Sequence, residues 1–169
     1  MSYSRKRPSQ AGFTLIEVLV ALLVLGIGML GIARLVLFSA RANDSAYMRS
    51  QATSLAYTLL DSMRSNRKVS QAQGYDTGLG AYANPGVNCT VAGTPCAPAM
   101  LAQYDLYQWK RRLTAALPSG DGAVRTAVNG SQVTATISVQ WDDAVAQSTF
   151  GAASAGASAP VAITFESLL

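Results

Sequence analysis

Residues Phe13 to Ala33 read FTLIEVLVALLVLGIGMLGIA, an unbroken apolar run in which Glu17 is the one charged residue. At 1.5 Å rise per residue, a helix over this run reaches about 30 Å, the thickness of a bilayer's hydrocarbon core. A chain built this way must give that helix an apolar environment before anything else. The apolar part of a secretory signal is shorter, about 7 to 15 residues. Gly31-Ile32-Ala33 nevertheless has the small-x-small form of a signal-peptidase site, so a cleaved signal is an alternative. Arg5, Lys6 and Arg7 precede the span, while Arg34, Arg41 and Arg49 follow it more sparsely. The tighter cluster favours a cytoplasmic N-terminus. Gly26-Ile27-Gly28-Met29-Leu30-Gly31 matches GxGxxG, but it follows no strand and opens no crossover helix. Its glycines are read as loosening the helix or allowing close helix packing.

The junction at the start of the span is more specific. Ala11-Gly12-Phe13-Thr14-Leu15-Ile16-Glu17-Val18-Leu19-Val20 closely resembles the prepilin motif of the type IV pilin-like family: a short basic leader, a glycine, then an aromatic-led apolar helix whose fifth residue is glutamate. The resemblance implies that a prepilin peptidase cuts after Gly12 on the cytoplasmic side and methylates the new amine of Phe13. Glycine before a scissile bond lets a protease approach the backbone, and a basic leader holds the chain at an anionic leaflet. An ionisable group among lipid tails costs several kcal/mol unless paired. Glu17 therefore either reaches the interface or is neutralised there, or, as the resemblance implies, its carboxylate pairs with a Phe13 amine during assembly. Many major pilins have proline where this chain has Arg34.

Charge and composition remove several other functions. There is no histidine, which excludes histidine-based acid/base catalysis and mixed zinc sites. Cys89 and Cys96 have neither metal-ligand nor CxxC spacing. We expect no metal and no cofactor. Net charge is +4 from 13 basic and 9 acidic residues; without Arg5, Lys6 and Arg7 the balance is 10 to 9, so charge says little about partners.

Beyond the span, Met48, Ala52, Leu55, Ala56, Leu59, Leu60 and Met63 recur at three- and four-residue steps, one apolar stripe of a helix ending near Asn66. No proline interrupts residues 9 to 84, which permits a single helix from about 14 to 66. Gly74 to Pro98 is rich in glycine and proline and reads as an extended loop. Within it a Cys89–Cys96 disulfide can persist if the head is periplasmic; two unpaired thiols are the alternative. A second helix is predicted over Leu101 to Leu117, stopped by Pro118-Ser119-Gly120. Lys110-Arg111-Arg112 upon it reads as a solvated face, with DNA phosphates as a less favoured partner. Val133, Ala135, Ile137, Val139 and Trp141 alternate with polar residues, a half-buried strand. Asn129-Gly130 predicts a tight hairpin to a partner strand over Ala123 to Val128. An Ala/Gly/Ser-rich linker covers Gly151 to Ser158, and Val161 to Glu166 is a last strand. The expected fold is α+β: a long N-terminal helix whose amphipathic half packs on a small antiparallel sheet.

The C-terminal half carries a further resemblance. Asp105, Trp109, Leu113, Leu117-Pro118-x-Gly120 and Trp141-Asp142 are similar to the PilV type of minor pilin, the type IV pilus modification proteins. Trp109 and Trp141 are also read simply as core residues. The resemblance implies a cleaved leader (1–12), a transmembrane helix half (13–33), an amphipathic half (34–66) and a periplasmic head (67–169). It further implies a single-pass inner-membrane protein that joins other minor pilins and the major pilin, primes fibre assembly, and at the pilus tip presents an adhesin. No catalysis and no small-molecule substrate are expected. Rival readings are a minor pseudopilin of type II secretion, a membrane-anchored enzyme using Asp142, Asp143 and Glu166, and a DNA-uptake pilin using Lys110 to Arg112. Adjacent Asp142 and Asp143 would face opposite sides of a continued strand, a poor paired site.

Overall fold

The computed structural model describes residues 12–91, 96–130, 132–143 and 160–169. The basic leader cluster, residues 92–95 of the cysteine loop and the linker Gly151 to Ser158 lie outside the described residues. The chain divides into two compact units, Met1–Ala40 and Arg41–Leu169.

Helix α1 (Leu15–Ser65) is one run of 51 residues, within a residue of the expected 14 to 66 at each end. In the first unit every described residue from Gly12 to Ala40 is exposed. In the second, Ala52, Ala56, Leu59, Leu60 and Met63 are buried and Met48 and Leu55 partly so, which is the expected stripe. After Asn66 a short helix, α2 (Arg67–Gln71), turns the chain.

Helix α3 (Pro98–Ala116) begins three residues before the expected Leu101. Proline suits the first helical turn because its missing N–H has no partner there anyway. The helix buries Ala102, Leu106, Trp109 and Leu113, again at steps of three and four. It ends where expected: Leu117 is extended, Ser119 takes φ 51°, and the Gly120 N–H donates to Leu117 O.

Three strands follow, β1 (Asp121–Asn129), β2 (Gln132–Trp141) and β3 (Val161–Leu168), in the order β1-β2-β3 with both pairings antiparallel. The predicted hairpin is present, with Asn129 opposite Gln132 and Gly130 at φ 61°, a conformation glycine adopts without strain. Val133, Ala135, Ile137, Val139 and Trp141 of β2 are all buried, so register is set by the alternation itself. Gly122 of β1 lies under Trp109, and a Cβ there would collide with the indole and with Ser138 O. The core joins the α1 stripe, the buried face of α3, Tyr75 and the inner faces of β1 and β2, with Val161, Ile163 and Phe165 of β3 at its margin. This is an α+β, pilin-like fold. The described part of the predicted loop is largely irregular, with one addition: Thr77 forms an antiparallel bridge to Val124, its N–H and C=O both engaged at 3.0 and 2.9 Å.

Candidate functional site

At the start of α1, Thr14 caps the helix. Its Oγ1 and its carbonyl both accept from the Glu17 N–H, at 3.4 and 3.1 Å, and the carbonyl also accepts from Val18 N–H at 3.4 Å. Thr14-x-x-Glu17 has the spacing of a capping box, a local signal for the helix start that lies one residue past the Gly12–Phe13 bond. Gly12 and Phe13 stay outside the helix and exposed, Phe13 at 85%. Phe13 and Glu17 share a shallow recess with Val18, Ala21, Leu22 and Leu25. A carboxylate in the first turn also suits the positive end of the helix dipole. Chemically, cutting before Phe13 would release an amine one helical turn from a carboxylate in an otherwise apolar surface. Among the described residues, α1 is the one helix long and apolar enough to cross a membrane.

The head contains two polar clusters that sequence reasoning missed. In the first, Lys110 is 6% exposed, and its ammonium donates to Gly78 O at 2.7 Å, Gly80 O at 2.9 Å and Asp121 Oδ1 at 2.8 Å. Burial pushes the Asp121 carboxyl up, but the Lys110 ammonium and the N–H groups of Gly80 and Gly122 more than reverse it, leaving it below the ordinary carboxylate value. This corrects the reading of Lys110 to Arg112 as one solvated face. Lys110 is turned inward because two loop carbonyls and the Asp121 carboxylate give its ammonium three acceptors. Arg111 and Arg112 remain exposed, Arg111 over the Tyr107 ring at 5.6 Å. No local pattern announces this clasp, since its partners lie about 30 residues before and 11 after Lys110.

In the second cluster the Tyr75 hydroxyl donates to Asp105 Oδ2 at 2.8 Å, and Asn66 Nδ2 donates to Tyr75 Oη at 3.4 Å and to Pro98 O at 2.7 Å. Burial pushes the Tyr75 phenol up, with Asp105 adding to the effect through its hydrogen bond and charge. Burial also raises the Asp105 carboxyl.

Cys89 and Cys96 are joined in a disulfide with Cα atoms 5.6 Å apart. The carboxylates of the enzyme reading are not brought together. Asp142 is exposed; Asp143 is buried and accepts from Ser45 Oγ at 2.6 Å; Glu166 is exposed opposite Thr136, well along the sheet from Trp141. Trp109 and Trp141 are core residues, with Trp109 Nε1 donating to Leu55 O at 3.1 Å.

Comparison with known protein families bears on the first of these regions. Residues 7–33 match the prokaryotic N-terminal methylation motif. The match is confined to the N-terminal segment; it supports a type IV pilin-like precursor, pilin or pseudopilin, and implies processing by prepilin peptidase. No curated protein and no solved structure matches the chain.

Proposed function

We propose that this chain is a minor pilin of a type IV pilus, of the PilV type, that primes fibre assembly. The observation carrying this reading is the methylation motif over residues 7–33, which overlaps the start of a 51-residue helix that ends inside an α+β head. In this reading prepilin peptidase cuts after Gly12 and methylates Phe13. The apolar half is stored in the inner membrane and the head stands in the periplasm, where the Cys89–Cys96 bond is favoured. Assembly withdraws the helix from lipid into a helix-packed fibre core. There the Glu17 carboxylate accepts the Phe13 amine of a neighbouring subunit, which offsets the cost of an ion in an apolar setting. A complex with other minor pilins and the major pilin then sits at the tip and presents an adhesin.

Intact mass of the mature chain tests the processing step. A start at N-methylated Phe13 is expected, whereas a start at Arg34 would mean an ordinary signal peptide and end the pilin reading. Co-purification of tagged protein from detergent-solubilised membranes separates the pilus from the secretion pseudopilus. Recovery of pilus subunits supports the minor pilin, and recovery of type II secretion components assigns the chain there instead.

A further inference from the structure

Two cavities flank α3, and they differ in what their polar groups have left to offer. The larger, about 380 Å³, surrounds the Lys110 clasp. Its ammonium has three acceptors, and both Asp121 oxygens are engaged, Oδ2 by Gly80 N–H at 2.6 Å. The smaller, about 270 Å³, is a groove between α1 and α3. Asp105, Gln108, Trp109 and Arg112 line it from α3 at steps of three and four, so all four share one helix face.

In the smaller groove Asp105 and Gln108 each keep one oxygen without a partner among the described residues. Asp105 uses Oδ2 for Tyr75, and no hydrogen bond reaches Oδ1 among the described residues. Gln108 gives its amide N–H to Tyr104 Oη at 2.9 Å, and Tyr104 donates to Asn88 Oδ1 at 3.2 Å, which leaves Gln108 Oε1 without a partner there. Arg112 is exposed, acts on Asp105 through its charge, and forms no ion pair with it among the described residues. Burial raises the Asp105 carboxyl in spite of Tyr75 and Arg112, as expected of an anion short of donors. Between these groups lies an apolar floor of Leu55, Leu59 and Trp109.

We propose that this groove binds a small zwitterion of amino-acid size, its ammonium against Asp105 and Gln108 and its carboxylate against Arg112. A purely cationic ligand would meet Arg112 and a purely anionic one Asp105; a molecule carrying both signs satisfies both ends. The volume falls just below the range of about 300–1,000 Å³ that holds drug-sized ligands. An apolar side chain on the ligand finds Leu59 and the Trp109 ring beneath it. The proposal does not depend on fibre assembly, and the molecule is a ligand, with no reaction assigned to it.

The test uses the full chain in detergent micelles, titrated with leucine, N-acetylleucine and leucinamide while the Trp109 indole N–H resonance is followed by NMR. Trp109 is a suitable reporter because its N–H bonds Leu55 O on the opposite wall. Leucine should give a saturable shift, and each blocked form should bind at least about tenfold more weakly. Asp105→Asn and Arg112→Gln should each lose the response. Thr58 is exposed at the groove, so Thr58→Trp should fill it and abolish the shift at the wild-type melting temperature, without touching the Tyr75–Asp105 bond. No saturable shift with leucine, equal shifts from all three compounds, or a response that survives Thr58→Trp would each overturn the assignment.

Discussion

Residues 12–40 and residues 41–169 use the same apolar residue types in opposite ways. In the first unit Leu, Ile, Val and Phe side chains all face outward along α1, and every described residue is exposed. In the second, the same types go inside, with Leu59, Leu113, Val124 and Ile137 buried. Helix α1 is therefore continuous in its hydrogen bonds but not in what stabilises it. Its first part leaves every described residue exposed, so its apolar surface needs lipid or other helices. Its last part is held by a core shared with α3 and the sheet. Substitutions in the head should consequently read out as melting, and substitutions before residue 40 as location or assembly.

That contrast can be broken, and the largest expected effect is in the core. Trp141→Ala should cost about 4 kcal/mol by opening a cavity in the core at the end of the central strand β2, lowering the melting temperature of the full chain in detergent. Recovery of the protein in the membrane fraction should not change. If membrane recovery falls with head stability, the two regions are not independent.

Lys110→Met should follow at about 3 kcal/mol, because it removes the one cation paired with the half-buried Asp121 carboxylate among the described residues and the donor to two loop carbonyls. The clasp also has a pH signature. The Asp121 carboxyl is lowered in the fold, so its contribution is complete above the ordinary carboxylate value, about pH 4, and is lost as pH falls through the lower folded value. Asp105 is raised, so its contribution has the opposite sign, favouring the fold as pH falls and fading as pH rises through its folded value. Asp121→Asn should remove the acid-side loss attributed to Asp121, measured as denaturant midpoints from pH 5 downward, and Asp105→Asn should steepen it. Replacing both cysteines by serine should cost about 2.5 kcal/mol from the chain entropy of the short loop. Equal melting of oxidised and reduced wild type would remove the bond from the head's stability.

Much of this fold is readable in the sequence because periodicity is a local signal. The α1 stripe, the β2 alternation, the Asn129-Gly130 hairpin and both tryptophans stand where the pattern puts them. The clasp was not readable, since a basic triplet on a helix looks solvated until Gly78 and Gly80 fold over it and Asp121 closes it. The Thr77–Val124 bridge and the Tyr75–Asp105 bond are likewise tertiary contacts, made by a loop whose composition marks it only as irregular. At the N-terminus the reverse holds. The motif is local and legible, while the role of Glu17 depends on a partner that one chain does not contain.

Glu17→Gln therefore sharpens the contrast most, although its expected effect on stability is the smallest. Glu17 is exposed in the first turn of α1 and is not one of the head's core residues, so the melting temperature should equal the wild type's. Glutamine keeps the shape and can still accept at its carbonyl oxygen, but it brings no charge into lipid, so insertion should proceed at least as well. In the proposed reading leader cleavage after Gly12 precedes fibre entry, so the mature chain should still begin at Phe13. What the substitution removes is the anion that would receive a neighbour's Phe13 amine in an apolar fibre core. The expected outcome is a split phenotype: wild-type amounts of mature protein in membranes and little in sheared pili or in complexes with other pilins. If Glu17→Gln enters fibres as well as wild type, the carboxylate has no pairing role in this subunit, and its place in the span must be explained by the capped helix start alone.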